Sequence, residues 1–176
     1  FPPPPPGNRQ EMGNPTDYWW NMRALLTSLT EWVVDGTTPP PSRHPTFTDR
    51  NLVAPIAIQF PAIPNVRSPA DRTGGTRVAN PWLEGNDGGG VELPMFIPQV
   101  DVDGNEVAGI RHPEVSVPLA TYTGWNFANA DNGDPNTLVA LAGSYIPFPT
   151  TREQRERTND PRRSIEERYE SRDAFL

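Results

Sequence analysis

The stretch "NPTDYWWNMRALLTSLTEWVVDGTTPPPSRHP", residues 14–45, predicts one well-bounded helix over about 15–34. Asn14 is a suitable cap, a proline follows at the first helical position, and Asp17 lies in the first turn, where negative charge is favourable. Gly36 supplies the stop, and the three prolines after it forbid continuation. The sequence therefore predicts a helix with both ends defined.

This helix carries a single apolar stripe, because its large apolar residues recur at spacings of three and four. The apolar stripe consists of Tyr18, Met22, Leu25, Leu26, Leu29, Trp32 and Val33. A stripe of this kind has to pack against another element. The preceding residues, "FPPPPPGNRQEMG" (1–13), predict an extended, solvated lead-in of polyproline type. The lead-in offers little surface, so the stripe is expected to pack elsewhere.

The composition predicts a loop-rich folded chain. The 176 residues suit one domain or slightly more, and 35% of them are hydrophobic. The 23 prolines and 14 glycines exceed ordinary usage but stay below the disordered range. Cysteine is absent, which excludes disulfides and thiolate metal sites. No apolar run approaches the roughly 20 residues that a membrane span requires.

The charge pattern argues against nucleic acid as a partner. The net charge is −7, and all fifteen basic residues are arginines. Many of these lie in 152–172, interleaved with glutamates, so this region predicts a solvated helical surface with ion pairs. An acidic chain without a separate basic stripe lacks the electrostatic footprint of a nucleic-acid-binding protein.

The middle of the chain predicts short extended segments. "LVAPIAIQFPAIPNV" (52–66) has the composition of a strand, but its prolines confine it to an edge or an extended wrap. Asp103–Gly104 predicts a two-residue hairpin turn between strands near 96–102 and 105–110. Residues 115–128 and 137–149 are further apolar segments, and those ranges complete the expected extended region.

The end of the chain predicts short helices at two capping boxes. The boxes are Thr150-x-x-Glu153 and Ser164-x-x-Glu167. The second helix has no C-cap signal before Leu176 and is expected to continue past it.

The sequence contains no complete active site. It lacks a Gly-x-Ser-x-Gly elbow and a phosphate-binding glycine loop. His44 and His112 each lie between an arginine and a proline, and a structural or surface role is favoured over general-base catalysis. "DVDGNE" (101–106) departs from a calcium loop, because Glu106 stands where glycine is needed. The sequence predicts no metal site and no cofactor.

Aromatic residues are the candidate substrate-binding groups. Trp82 and Trp125 lie in Gly- and Asn-rich surroundings, where a tryptophan is suited to line a cleft. Tyr122, close to Trp125 in the chain, joins them as the third candidate. A packing role for these side chains stays open as the alternative.

Four blocks resemble a family of large bacterial proteins known as alpha/beta hydrolase domain-containing proteins. The first is the helical stretch 14–45, and the second is "FPAIPNV" (60–66). The third is "VDVDGNEVAGIRHPEVSVPLATYTGWNF" (100–127), and the fourth runs from "LAGSYIPFP" to the end (141–176). The blocks occur in the family's order and cover nearly the whole chain.

The resemblance implies that this chain is the carboxy-terminal portion of a serine-type α/β-hydrolase with an ester or related acyl substrate. The nucleophile elbow and the catalytic histidine would then precede it. Residues 1–36 would hold the lead-in and the last core helix, 37–149 an appended extended region with a β-hairpin, and 150–176 short helices.

The same resemblance implies a partner surface and a location. The central sheet that receives the helix would belong to the rest of the same polypeptide or to a partner chain. A secreted or periplasmic protein is what the family implies.

Two non-enzymatic interpretations stay open alongside the hydrolase. One is a binding or assembly module that uses its aromatic residues as a ligand surface. The other is a structural piece that wraps a partner with its proline-rich segments. The sequence leaves the substrate and the oligomeric state open.

Overall fold

The structure is a computed structural model that describes residues 2–72, 77–78 and 91–175. Its helices are α1 (Trp19–Asp35), α2 (Pro113–Ser116), α3 (Arg152–Thr158), α4 (Ile165–Arg168) and α5 (Arg172–Phe175). Its strands are β1 (Met12–Gly13), β2 (Leu52–Val53), β3 (Arg77–Val78), β4 (Val91–Glu92), β5 (Ile97–Pro98), β6 (Ala120–Tyr122) and β7 (Ser144–Pro147).

The strands form small antiparallel sheets. The largest has the order β1-β7-β6, and Tyr145 of the central strand pairs with Met12 on one side and Tyr122 on the other. β2 pairs with β5, and β3 pairs with β4. As the prolines of 52–66 predict, β2 is an edge strand and only two residues long.

The lead-in is more integrated than predicted. β1 belongs to the three-stranded sheet, and the Gln10 N–H donates to the Phe127 carbonyl at 2.9 Å. The Gln10 side chain also donates to the carbonyls of Ala128 and Pro135. The expectation of a solvated lead-in is therefore wrong for residues 9–13, because the backbone N–H groups that follow the proline run are free to pair with strands.

The core lies around β6 and β7. Its buried apolar residues are Ile63, Ile97, Val100, Ala120, Tyr122, Phe127, Ala142, Ile146 and Phe148. Buried amides stabilise the same region: Asn105 Nδ2 donates to the Ala120 carbonyl at 3.1 Å, and Asn105 Oδ1 accepts from the Tyr122 N–H at 2.7 Å. These two hydrogen bonds fix the turn that precedes Asn105 against β6.

The turn at Asp103–Gly104 forms at the predicted place with a different geometry. Gly104 has φ +81°, as predicted, whereas Asp103 is not among the residues with positive φ. The Asp101 N–H donates to the Asn105 carbonyl at 2.8 Å, which leaves three residues in the loop. The expected two-residue type I′ turn is therefore wrong; a three-residue loop with its last residue left-handed replaces it.

The strands beside this turn are shorter than predicted. Their pairing consists of a bridge between Val100 and Glu106 and a hydrogen bond from the Val107 N–H to the Gln99 carbonyl. β5 lies within the expected first strand but pairs with β2 instead. The predicted hairpin is therefore a tight loop with only this short pairing beside it.

Helix α1 begins four residues later than predicted and ends one residue later. Asn14 Oδ1 accepts from the Thr16 N–H and Asp17 Oδ1 from the Trp19 N–H, both at 2.9 Å, so these side chains hold the turns before the helix. Gly36 adopts the left-handed conformation that ends it, as predicted.

The apolar stripe is exposed among the described residues. α1 contains no buried residue, and exposure within the stripe ranges from 49% at Met22 to 76% at Val33. The Asn21 side chain connects the helix to the body, because its Nδ2 lies 2.7 Å from His112 Nε2.

The terminal helices differ from prediction in two details. Thr151, and not Thr150, caps α3, with its hydroxyl accepting from the Gln154 N–H at 3.1 Å. Ser164 and Glu167 form the predicted capping box, but α4 ends at Arg168 because Tyr169 is extended (φ −125°, ψ 111°). The predicted continuous helix to the end is therefore wrong.

Candidate functional site

A cavity of about 320 Å³ lies beside the Asp103–Gly104 turn. Its walls come from β5, the segment around Ile58, and the two stretches 123–125 and 138–140. The apolar side chains at its surface include Ile58, Met95, Ile97, Val100, Trp125 and Leu138. An apolar cavity with few polar groups is the usual form of a small-molecule site. We call it the Trp125 cavity.

Trp125 is held in place by rings and hydrogen bonds. Its ring packs edge-on against Phe60 and Phe127, with centroid distances of 5.3 and 5.6 Å. The Ser144 hydroxyl donates to its carbonyl at 2.6 Å. The indole is half-buried, because one side of it packs against the protein and another side lines the cavity.

A second, more polar cleft of about 190 Å³ lies next to this cavity. Tyr122, Arg111 and His112 line it. Burial, followed by the neighbouring Tyr145 and Glu114, raises the pKa of Tyr122 to about 12. The phenol therefore stays neutral at physiological pH and can only act as a hydrogen-bonding group.

Glu106 lies between the two pockets and lines both, as do Thr123 and Gly124. Burial raises the pKa of the Glu106 carboxyl above its ordinary value of 4.5. Within the described residues, its carboxylate has neither a hydrogen-bond donor nor a cationic partner. The carboxylate lies close to Gly124, where a Cβ would be 3.4 Å from Glu106 Oε1.

Neither histidine contacts a nucleophile in the described part of the chain. His44 is exposed. His112 Nδ1 lies 3.6 Å from Glu114 Oε2, and its Nε2 faces the Asn21 amide. No group of three or more His, Asp or Glu side chains within the described ranges is placed to hold a metal ion.

The three aromatic candidates have different positions. Trp125 and Tyr122 line adjoining pockets that share a wall. Trp82 lies outside the described residues. In the described ranges, no helix combines the length and apolarity needed to cross a membrane.

Comparison with known families shows the family to which the chain belongs. A family model described as "Alpha/beta hydrolase domain" matches residues 2–176. The chain belongs to this alpha/beta hydrolase family. Searches of curated proteins and of solved structures gave no match. The family match confirms the resemblance carried by the four sequence blocks.

The sequence predicted two of the residues that line the candidate site, Trp125 and Tyr122, and did not single out Glu106 as a binding group. Trp125 and Tyr122 could be chosen as candidates because they are large aromatic side chains near turns. In the sequence, Glu106 is notable only because it departs from the pattern of a calcium loop. Its place between two pockets depends on side chains from distant segments, such as Ile58 and Leu138, and no local pattern encodes that contact.

Proposed function

We propose that this chain is the carboxy-terminal part of a serine-type α/β-hydrolase that acts on an ester or related acyl substrate. The nucleophile and the catalytic histidine lie outside residues 1–176, in the same polypeptide or in a partner chain. Serine attack, a histidine base and an oxyanion hole are the chemistry of this superfamily.

The exposed apolar stripe of α1 carries the proposal. Six large apolar side chains on α1 and Tyr18 directly before it, each about half exposed or more, form a patch larger than scattered surface residues would give. The family match supplies a reason for the patch, since the last helix of an α/β-hydrolase packs on a central sheet. The sheets of the described residues are antiparallel and small, so that surface is proposed to come from the preceding part of the domain.

In the assembled hydrolase, the Trp125 cavity is proposed to shape the substrate site. Trp125 presents an apolar wall and Tyr122 a neutral phenol, which suit the apolar and polar parts of an acyl substrate. Trp82 is proposed as a third substrate-binding residue.

Hydrolysis and serine labelling test the proposal. The full-length protein is expected to hydrolyse p-nitrophenyl butyrate and to react with a fluorophosphonate probe at one serine. Trp125→Ala is expected to raise KM by about tenfold, the range for losing part of an apolar binding wall. Trp20→Ala, on the opposite side of α1 from the stripe, is the matched control and should leave KM unchanged.

The absence of both turnover and labelling in the full-length protein would contradict the hydrolase proposal. In that case the chain is a non-catalytic binding or assembly module, and the apolar stripe belongs to its assembly surface.

A further inference from the structure

The Trp125 cavity suits a small, mostly apolar ligand. Its volume of about 320 Å³ is at the lower end for small-molecule sites. The apolar lining makes it unfavourable to bury a polar group anywhere except beside a matching protein group.

Glu106 is the charged group at this cavity. It has no ionic partner within the described residues, although a guanidinium lies nearby in the adjoining cleft. That guanidinium belongs to Arg111, which is engaged with the Asp101 carboxylate at 3.2 Å and the Val115 carbonyl at 2.8 Å. His112 and Tyr122 line the same cleft. The carboxylate is thus left uncompensated beside an apolar space.

Two further features favour a positive ligand. Trp125, in the same cavity wall, has the aromatic face that attracts cations most strongly. The chain has a net charge of −7, which raises the local concentration of small cations.

We propose that the Trp125 cavity binds a hydrophobic primary amine in its ammonium form, with the ammonium group on the Glu106 carboxylate and the hydrocarbon body against Ile58, Leu138 and Trp125. Such a ligand satisfies both properties of the cavity together: it fills apolar volume and neutralises the Glu106 carboxylate. The amine would occupy the same cavity that is proposed to shape the substrate site, but its binding requires no bond cleavage and is tested apart from the proposed hydrolysis.

A series of three ligands of similar shape tests the charge requirement in the full-length protein. Isothermal titration at pH 7.5 compares 2-phenylethylamine, 2-phenylethanol and phenylacetate. The amine is expected to bind about tenfold or more tightly than the alcohol, since a charge-assisted hydrogen bond replaces a neutral one. Phenylacetate is expected not to bind. Equal affinities for amine and alcohol, or binding of phenylacetate, would overturn the proposal.

Two variants test where the ligand binds, and a third is the control. Glu106→Gln keeps the shape of the side chain and should weaken amine binding by about tenfold or more while leaving the alcohol unchanged. Glu153→Gln makes the same change in net charge at an exposed position on α3 and should change neither. Ile58→Trp fills the cavity and should abolish binding of both ligands.

Unchanged amine affinity in Glu106→Gln or in Ile58→Trp would overturn the assignment. If Glu106→Gln does not fold, the ligand series and Ile58→Trp still decide the question. None of the three ligands contains an ester, so a protein that binds the amine without hydrolysing esters contradicts the proposed function alone.

Discussion

Arg162 is a charged side chain at the centre of the core. The residue is 2% exposed, and all five N–H donors of its guanidinium have acceptors within 3.1 Å. The acceptors are both carboxylate oxygens of Asp160, the Thr121 hydroxyl, and the carbonyls of Ile146 and Pro147. The Arg-rich segment is therefore not a solvated surface throughout, because this one arginine joins the terminal segment to β6 and β7.

Removal of this guanidinium is expected to destabilise the fold strongly. Arg162→Leu leaves the buried Asp160 carboxylate without its cationic partner, with only the backbone N–H of residue 162 still donating to it, which costs about 3–5 kcal/mol of unfolding free energy. Arg157→Leu, at an exposed position on α3, is the control and should change it by no more than about 0.5 kcal/mol. Urea denaturation measures both, and similar losses would contradict a structural role for the buried network.

Glu106 predicts a pH-dependent stability. Its folded-state pKa is raised above 4.5 by burial, so the folded protein retains this proton at higher pH than the unfolded chain does. The free energy of unfolding therefore falls as the pH rises from about 4.5 through the folded-state pKa. Glu106→Gln removes that loss. It should stabilise the protein at pH 7.5 and have little effect at pH 3.5, and an equal effect at both values would contradict the burial argument.

At the scale of elements, the Asp103–Gly104 turn depends on close packing as well as on backbone conformation. Gly104 and Gly109 have similar φ values, +81° and +86°. A Cβ at Gly104 would lie 2.9 Å from Thr121 Cγ2 and 3.0 Å from Phe60 Cε2, whereas a Cβ at Gly109 meets nothing within 4 Å. The two glycines therefore separate the conformational cost of a side chain from its steric cost.

Alanine substitutions at the two glycines measure this difference. Gly109→Ala should lose about 1 kcal/mol, from the left-handed conformation alone. Gly104→Ala should lose a further 1–3 kcal/mol, roughly, because the fully buried Thr121 has to move. Thermal or urea unfolding measures both values. Equal losses would show that the turn tolerates displacement from β6.

Structural features whose partners lie within a few residues were predictable from the sequence, whereas features that depend on packing between distant segments were not. Gly36 and the Ser164 capping box were predictable because their partners lie within a few residues. The end of α4 was not predictable, since Tyr169 leaves the helix where its hydroxyl reaches the Pro118 carbonyl at 3.0 Å. The turn at Gly104 was correct in place and wrong in type, because Asn105 is fixed by β6. The cavity likewise depends on segments far apart in sequence.

At the scale of the whole molecule, the chain is expected to lack activity by itself. The described residues place no nucleophile beside either histidine. Purified residues 1–176 should therefore hydrolyse p-nitrophenyl butyrate no faster than a denatured control. Turnover that disappears in His44→Ala or His112→Ala would show that the active site lies within this chain.

The central claim is that the apolar stripe of α1 is covered by the rest of a hydrolase domain. Because the chain has no cysteine, single cysteines on the two sides of the helix report its burial directly. Leu26→Cys lies in the stripe and Thr27→Cys on the opposite face. Both side chains are exposed in the described chain.

The deciding measurement is the rate of alkylation of each cysteine in the native full-length protein, read by mass spectrometry on the peptide that carries it. The Thr27→Cys thiol is expected to react as fast as in the unfolded protein, and the Leu26→Cys thiol at least about a hundredfold more slowly, since a covered site requires an opening reaction. Equal, rapid alkylation at both positions would contradict the claim that a central sheet receives this helix.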